Sequence, residues 1–222
     1  MPTTTTAPRP GLGPVLESGV IAVVRLSATH ELRGVARALA AGGVGAVEVT
    51  LTTPGAIATI ADLAADDGLG GGCLVGAGTV LDVSAARSVI DAGARFVVSP
   101  TLDPAVIRAC RDRDVPCIPG AFTPTELLEA WRAGAELVKL FPASAVGPDY
   151  VRDVLAPLPF LQIVPSGGVS LENAGDWIRA GARAVSVGSA LVSAALLGPP
   201  PRAAELTARA RALVTRVAEA RA

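Results

Sequence analysis

Short apolar runs alternate with amphipathic segments along almost the whole chain. One pattern, an Ala-Gly pair followed by a short apolar run, occurs four times and begins at Ala41, Ala92, Ala133 and Ala180. A glycine directly after a helix commonly ends it, and an apolar run of this length is typical of a buried strand. Each copy therefore predicts the end of one helix and the start of the next strand.

Further apolar runs lie between these copies and raise the number of predicted strands to eight. These runs cover residues 20–25, 73–78, 115–119 and 161–165. Helical patterns separate the strands, for example at residues 31–41, 84–92, 124–133 and 171–180. Strict alternation of strands and helices implies a parallel sheet with right-handed crossovers.

Eight such units in about 200 residues predict a closed (β/α)8 TIM barrel of the α/β class. The alternative is an open doubly wound sheet. No G-x-G-x-x-G motif opens a helix and no P-loop motif is present, so the nucleotide-binding signatures of open sheets are missing. We expect residues 13–222 to form one barrel domain, with residues 202–222 as a last helix on its outside.

Residues 1–12 are rich in Thr and Pro and carry no apolar run, which predicts a disordered tail. They also lack the basic start and apolar segment of a signal peptide. We therefore expect a cytoplasmic protein.

Composition excludes several classes of function. The chain has 222 residues, a net charge of −1 and no basic excess that could neutralise a nucleic-acid backbone. Gly, Pro or a charge interrupts every apolar run well before membrane-spanning length. Three cysteines without a C-x-x-C spacing and the single histidine His30 argue against a histidine-based zinc site or a Ser-His-Asp triad. We expect neither nucleic acid nor membrane as a partner.

Lys139 is the only lysine, although the chain has 19 basic residues. It lies between Val138 and Leu140 in a predicted strand. If these neighbours face the outer helices, strand alternation directs Lys139 into the barrel lumen. Burial favours the neutral amine, which can attack a ketone and form a Schiff base, whereas a guanidinium stays protonated. The alternative is a lysine held in a buried ion pair.

Glu48 occupies the equivalent position in its own strand, with Val47 and Val49 on either side. A buried carboxylate needs a partner, and Lys139 is available. One interpretation is a general acid and base that moves protons on and off a Schiff-base intermediate. The other is a salt bridge that fills the barrel core.

Two glycine-containing loops follow predicted strands seven and eight. The first contains Ser166, Gly167 and Gly168, and the second contains Gly188 and Ser189. Glycines that open onto a helix offer main-chain N–H groups to an anion, and phosphate commonly binds at this place in the barrel. The alternative is a pair of tight turns. Arg25, Thr79 and Pro100 end other strands, where solvation or turn formation would explain them equally well.

Several motifs in order resemble the KDPG/KHG aldolase family. They are E-V-T-L at 48–51, G-A-G-T-V at 76–80, V-S-P at 98–100, I-P-G at 118–120, V-K-L-F-P at 138–142 and P-S-G-G-V at 165–169. The family comprises class I aldolases that act on 2-keto-3-deoxy-6-phosphogluconate (KDPG) or 4-hydroxy-2-oxoglutarate (KHG). The resemblance runs from about Gly19 to Leu191. It implies a TIM barrel, a homotrimer, a small keto acid as substrate, and no metal or organic cofactor.

The resemblance also implies roles for individual residues. Lys139 would form the Schiff base and Glu48 would shuttle protons. Thr79 and Phe141 would line the pyruvyl group, and the three glycines of the two loops would hold the phosphate together with Ser189. The full set of expected substrate-binding residues is Arg25, Thr52, Thr79, Pro100, Phe141, Ser166, Gly167, Gly168, Gly188 and Ser189.

One position departs from the family pattern. Many members read E-V-T-L-R, with the Arg on the substrate carboxylate, but this chain has Thr52 at that place. Arg25 would compensate, as in the similar 2-keto-3-deoxy-6-phosphogalactonate (KDPGal) aldolases, which residues 141–150 also resemble. The expected reaction is cleavage of a KDPG-type acid to pyruvate and glyceraldehyde 3-phosphate, or of KHG to pyruvate and glyoxylate.

Three alternatives stay open at this point. The first is a KDPGal aldolase. The second is a phosphate-binding barrel isomerase or synthase without a covalent intermediate, which would not need the amine of Lys139. The third is a non-catalytic barrel that senses a sugar phosphate and releases no pyruvate.

Overall fold

The computed structural model describes residues 11–25, 32–69, 72–197 and 202–222. The predicted tail up to residue 10, and His30, lie outside these ranges. The strands are β1 (Val20–Val24), β2 (Ala46–Thr50), β3 (Leu74–Gly78), β4 (Val97–Val98), β5 (Cys117–Ile118), β6 (Gly120–Ala121), β7 (Val138–Leu140), β8 (Ile163–Pro165) and β9 (Val185–Val187). The helices are α1 (Gly13–Ser18), α2 (Leu32–Ala41), α3 (Ala56–Ala64), α4 (Val83–Asp91), α5 (Pro104–Arg111), α6 (Pro124–Arg132), α7 (Pro148–Leu155), α8 (Ala174–Arg179), α9 (Ala194–Leu197) and α10 (Ala203–Arg221).

Each strand pairs in parallel with its neighbours, and the sheet curls into a barrel. One part has the order β5-β4-β3-β2-β1-β9 and the other β6-β7-β8. A parallel bridge between Ser166 and Ser186 joins β8 to β9. On the opposite side β5 and β6 are two halves of one barrel strand, interrupted at Pro119, which has no N–H to donate. The prediction of a (β/α)8 barrel is confirmed, and the open-sheet alternative is wrong.

Strand alternation divides the buried side chains into two layers. In β2 and β7 the flanking residues Val47, Val49, Val138 and Leu140 pack under the outer helices. The opposite face lines the lumen, where a separate apolar cluster comprises Ile21, Ala46, Phe96, Val98, Ile118, Leu137, Val164 and Ala184. Lys139 and Glu48 therefore share the lumen face of their strands with this cluster, as predicted.

The segment that precedes β1 fills the lumen at the amino ends of the strands. Leu12 is 1% exposed and packs with Val15 of α1 against the inner cluster. Leu12 was expected at the end of a disordered tail and instead belongs to the core, because its side chain covers apolar surface at the amino ends of the strands. The residue just before the predicted boundary at 13 is thus already ordered.

The long helix α10 packs outside the barrel on α2 and α8, as expected from residues 202–222. Its buried stripe consists of Leu206, Ala210, Leu213 and Val217. None of the helices in the described ranges is both long and apolar enough to cross a membrane.

Candidate active site

The amine of Lys139 lies inside the barrel on β7. The residue is 7% exposed and pairs with Gly120 of β6 on one side and Val164 of β8 on the other. Its Nζ is 4.8 Å from the centroid of the Phe141 ring, which extends from the same strand at the mouth of the lumen. Phe141 is itself partly exposed, so the ring lies between the amine and solvent.

The carboxyl group of Glu48 lies on β2 and is 1% exposed. Two glycines of β3 leave room for the lumen side chains. A methyl group on Gly78 would collide with the Glu48 carboxyl group, and one on Gly76 would collide with the Phe96 ring. The G-A-G sequence at 76–78 therefore has a steric function in shaping the lumen.

Burial raises the pKa of Glu48, and the positive charges of Lys139 and Arg25 oppose that rise. Its Oε2 is buried and has no hydrogen-bond partner in the part of the chain that the structure describes. No carboxylate forms an ion pair with Lys139 within the described ranges. The ion-pair alternative is therefore not what this part of the chain adopts. The lumen holds an amine and a carboxyl group that are both available to a third group.

Thr52 lies at the rim, exposed, just beyond β2. Its Oγ1 is 3.0 Å from Oγ1 of Thr50. Thr50 is buried, and its Oγ1 is also 3.4 Å from Oγ1 of Thr53. Thr50 is two residues from Glu48 and so shares its face. This buried hydroxyl was not predicted from the sequence, although its i, i+2 spacing from Glu48 in the strand was a usable signal.

The remaining predicted rim residues follow other strands. Arg25 is exposed directly after β1. Thr79 follows β3 with a φ of 61°, in the left-handed region that costs a branched residue about 1 kcal/mol or more. Pro100, after β4, lies so close to β6 that a methyl group on Gly120 would collide with its carbonyl group. All of them therefore lie at the carboxyl ends of strands, where a barrel carries its chemistry.

The loop after β8 contains Ser166, Gly167 and Gly168. Ser166 is buried, and its Oγ is 3.4 Å from Oγ of Ser186 on β9. Gly167 and Gly168 have φ values of 84° and 80°, which favour glycine. Ser186 was not predicted as a site residue, and the strand bridge brings it beside Ser166.

The helix after this loop begins later than predicted. Asn173 Oδ1 accepts the N–H of Ser170 at 2.8 Å, and Asn173 Nδ2 donates to the carbonyl of Gly168 at 2.9 Å. This side chain closes a turn that delays α8 to Ala174. The expectation that the loop opens directly onto a helix was therefore wrong, and the available N–H groups belong to the turn itself.

The loop after β9 contains Gly188 and Ser189, next to the loop after β8. Ser189 is exposed, and Gly188 lies against Val23 of β1, with space for ordinary contact. Neither the N–H of Gly168 nor that of Ser189 donates to another residue in the described ranges. The two loops thus present free main-chain donors side by side. The described residues contain no cluster of His, Cys, Asp and Glu that could hold a metal ion.

Several known proteins with similar sequences or structures are named aldolases. The family model for KDPG and KHG aldolase matches residues 14–204. A relative from Rhizobium meliloti (strain 1021), named "Probable 2-dehydro-3-deoxy-6-phosphogalactonate aldolase", is 40% identical over 182 residues, or 80% of this chain and 84% of the relative. A relative from Treponema pallidum (strain Nichols), named "2-dehydro-3-deoxy-phosphogluconate aldolase", is 40% identical over 163 residues, or 72% of this chain and 75% of the relative.

A solved structure of KDPG aldolase from Legionella pneumophila is similar over nearly the whole fold. The TM-score is 0.82 at 29% identity, covering 91% of this chain and 97% of that chain. That protein is described with pyruvate captured as a covalent carbinolamine intermediate.

Proposed function

The chain belongs to the KDPG and KHG aldolase family, and we propose that it is a class I aldolase, a carbon–carbon lyase that cleaves a 2-keto-3-deoxy-6-phospho sugar acid. The products would be pyruvate and glyceraldehyde 3-phosphate. The observation that carries this proposal is the buried amine of Lys139, which has no carboxylate partner among the described residues, together with the buried Oε2 of Glu48, which has no hydrogen-bond partner among them either. Schiff-base chemistry needs an unpaired amine and a proton donor in one dry site.

In the first half of the reaction, the neutral amine of Lys139 adds to the C2 ketone of the substrate. Glu48 carries a proton at a higher pH than an exposed glutamate because burial raises its pKa. It gives this proton to the carbinolamine oxygen, so that water leaves and an iminium ion forms. The iminium ion withdraws electrons from the C3–C4 bond.

In the second half, the ionised Glu48 accepts the proton of the C4 hydroxyl. The electron pair of the C3–C4 bond moves into the iminium group, and the aldehyde leaves with a new C4 carbonyl. The resulting enamine takes a proton at C3. Water then hydrolyses the imine, which frees pyruvate and restores the amine of Lys139.

The phosphate end of the substrate would bind at the loops after β8 and β9. Gly167, Gly168, Gly188 and Ser189 would supply main-chain N–H groups, with Ser166 beneath them. The free N–H groups of Gly168 and Ser189 support this assignment. Main-chain donors in such a turn form a preorganised anion site.

The keto-acid end would bind near Lys139. Thr79, Pro100 and Phe141 would line the pyruvyl group, and the ring of Phe141 close to Nζ supports this. Arg25 would hold the substrate carboxylate, because Thr52 brings a neutral hydroxyl where many family members carry an arginine. The charge of Arg25 lowers the pKa of Glu48, and this electrostatic effect supports the assignment.

A KDPGal aldolase is the second candidate. Thr52 favours it, since that branch also carries an uncharged residue at this place, and a relative at 40% identity bears that name. The two substrates differ only in the C4 configuration, so rates with both epimers would decide between them. Cleavage of KHG to pyruvate and glyoxylate is a further activity to assay in the same experiment.

We also propose a homotrimer. Exposed apolar side chains, such as Ile57, Leu81 and Phe160, offer surface that another copy could cover. Light scattering on a sizing column would measure the mass. A monomer would contradict this part of the proposal without affecting the chemistry.

The test of the proposed reaction is to trap the intermediate. The protein is incubated with pyruvate and borohydride, and its intact mass and peptides are measured. One reduced pyruvyl group on Lys139 is the expected result. Lys139→Arg keeps the positive charge but cannot form the imine, so it should neither trap pyruvate nor turn over. Aldolase activity in that variant would overturn the role of Lys139 as the Schiff-base residue. No adduct on folded wild-type protein would overturn the proposal and favour an isomerase or a sensor of sugar phosphates.

A further inference from the structure

The loop after β7 is held against the loop after β8 by main-chain hydrogen bonds. The N–H of Ser166 donates to the carbonyl of Leu140 at 3.0 Å, and the N–H of Ala143 donates to the carbonyl of Ser166 at 2.8 Å. Ala143 is fully buried and anchors a short 3-10 turn, Ala143–Ala145. The next residue, Ser144, is exposed. Its position is therefore set by the strands rather than by a free loop.

Ser144 lies directly beside Gly168. A methyl group on Gly168 would be 2.7 Å from Cβ of Ser144 and 3.0 Å from its Cα. Such distances are too short for any side chain other than hydrogen. Gly168 is thus required by its φ of 80° and also by the approach of Ser144.

At this contact one polar group is fixed by a hydrogen bond, and two others have no partner among the described residues. Asn173 Nδ2 fixes the carbonyl of Gly168 at 2.9 Å. The N–H of Gly168 and the hydroxyl of Ser144 have no partner among the described residues. A hydroxyl and an N–H side by side, both exposed, can donate together to one oxyanion.

We propose that Ser144 is a substrate-binding residue that contacts the terminal phosphate and contributes to selectivity for a phosphorylated substrate. This inference rests on the proposed aldolase function and extends its phosphate site to a third loop, the one that directly follows the strand of Lys139. The hydroxyl of Ser144 would donate to a phosphate oxygen beside the N–H of Gly168. The catalytic lysine and the phosphate contact would then be five residues apart in one segment, which fixes the distance between the two ends of the substrate.

The test compares two aldehydes in the condensation direction with pyruvate. For Ser144→Ala we expect the KM for glyceraldehyde 3-phosphate to rise about tenfold, the loss of one hydrogen bond to a charged group. The KM for unphosphorylated glyceraldehyde should stay unchanged. Ser144→Asp should raise the first KM further, because its carboxylate repels the phosphate. Ser84→Ala, at an exposed serine of α4 that is not among the predicted site residues, is the matched control and should leave both values unchanged.

Borohydride trapping of pyruvate in each variant separates this inference from the proposed function. An unchanged KM for glyceraldehyde 3-phosphate in both Ser144 variants, with normal trapping, would overturn the role of Ser144 and leave the aldolase intact. Equal losses with both aldehydes would assign Ser144 to loop structure and overturn it as well. Absence of any adduct in the wild-type protein would instead reject the proposed function.

Discussion

At the scale of one residue, the buried carboxyl group of Glu48 lowers the stability of the folded protein. The carboxyl group is buried, its pKa is raised by that burial, and Oε2 has no hydrogen-bond partner among the described residues. A carboxyl group whose pKa is higher in the folded than in the unfolded protein contributes to stability when it is protonated. This contribution is present below the pKa of the unfolded chain, about 4.3, and is lost as the pH rises through the pKa of the folded protein. At neutral pH the charged form therefore opposes folding.

Glu48→Gln is expected to stabilise the fold while it removes activity. The free energy of unfolding at neutral pH should rise, and the gain should vanish below about pH 4, where both proteins are uncharged at this position. The turnover number should fall about 100-fold or more, as for a lost general acid and base. Urea unfolding across pH, beside steady-state rates, measures both effects. A gain that is independent of pH would contradict the electrostatic explanation.

The wild-type pH profile gives a second measurement of the same group. If Glu48 accepts the C4 hydroxyl proton, kcat/KM, which follows the ionisable groups of the free protein, should fall at low pH with an apparent pKa above the ordinary value for glutamate, about 4.3. The profile of Glu48→Gln should lose this limb in its residual activity. A limb that persists in the variant would belong to another group.

Helix α10 stabilises the barrel at the scale of one element. It crosses α2 and α8, and Gly42 at the end of α2 allows its close approach. A methyl group on Gly42 would collide with Cβ of Ala210 and lie 2.8 Å from the carbonyl oxygen of Thr207. Arg209 of α10 also donates to the carbonyl of Ala190 at 2.7 Å, so the helix braces the loop that follows β9.

Gly42→Ala should therefore weaken the docking of α10. We expect the free energy of unfolding to fall by about 1–3 kcal/mol, the usual range for overpacking. Gly34→Ala within α2 is the control, since nothing lies within 4 Å of its added methyl group. It should stabilise the protein by about 0.5–1 kcal/mol through helix propensity. Thermal unfolding of both variants decides, and equal effects of the two substitutions would contradict the steric argument.

Patterns within a single strand could be predicted from the sequence, whereas contacts between separate elements could not. Alternation within β2 and β7 was enough to place Glu48 and Lys139 in the lumen. Their apolar neighbours Val47, Val49, Val138 and Leu140 pack under the outer helices, so the residue between each pair faces inward. Contacts between loops that are far apart in sequence were not predictable. The neighbour of Ser166, Ser186, depends on the register of β8 and β9, and the late start of α8 depends on hydrogen bonds of Asn173. Local patterns do not encode such pairings.

At the scale of the whole molecule, the proposed catalytic groups lie on different parts of the barrel. Glu48 belongs to the six-stranded part and Lys139 to the three-stranded part. The two parts meet at the Ser166–Ser186 bridge and at the interruption at Pro119. A substrate held by both groups would therefore span the boundaries between the two parts.

Trapped pyruvate should then make these boundaries more rigid. A ligand that binds only the folded state stabilises it, and the gain is largest where it joins separate units. We expect amide hydrogen exchange to slow near Ser166, Ser186 and Gly120 after borohydride reduction of the pyruvyl imine, with little change in the centre of β1 and β2. Wild-type protein treated with borohydride alone is the control. Slowing confined to β7, with no change at either boundary, would mean that the two parts already act as one rigid barrel and that the ligand adds only local contacts at Lys139.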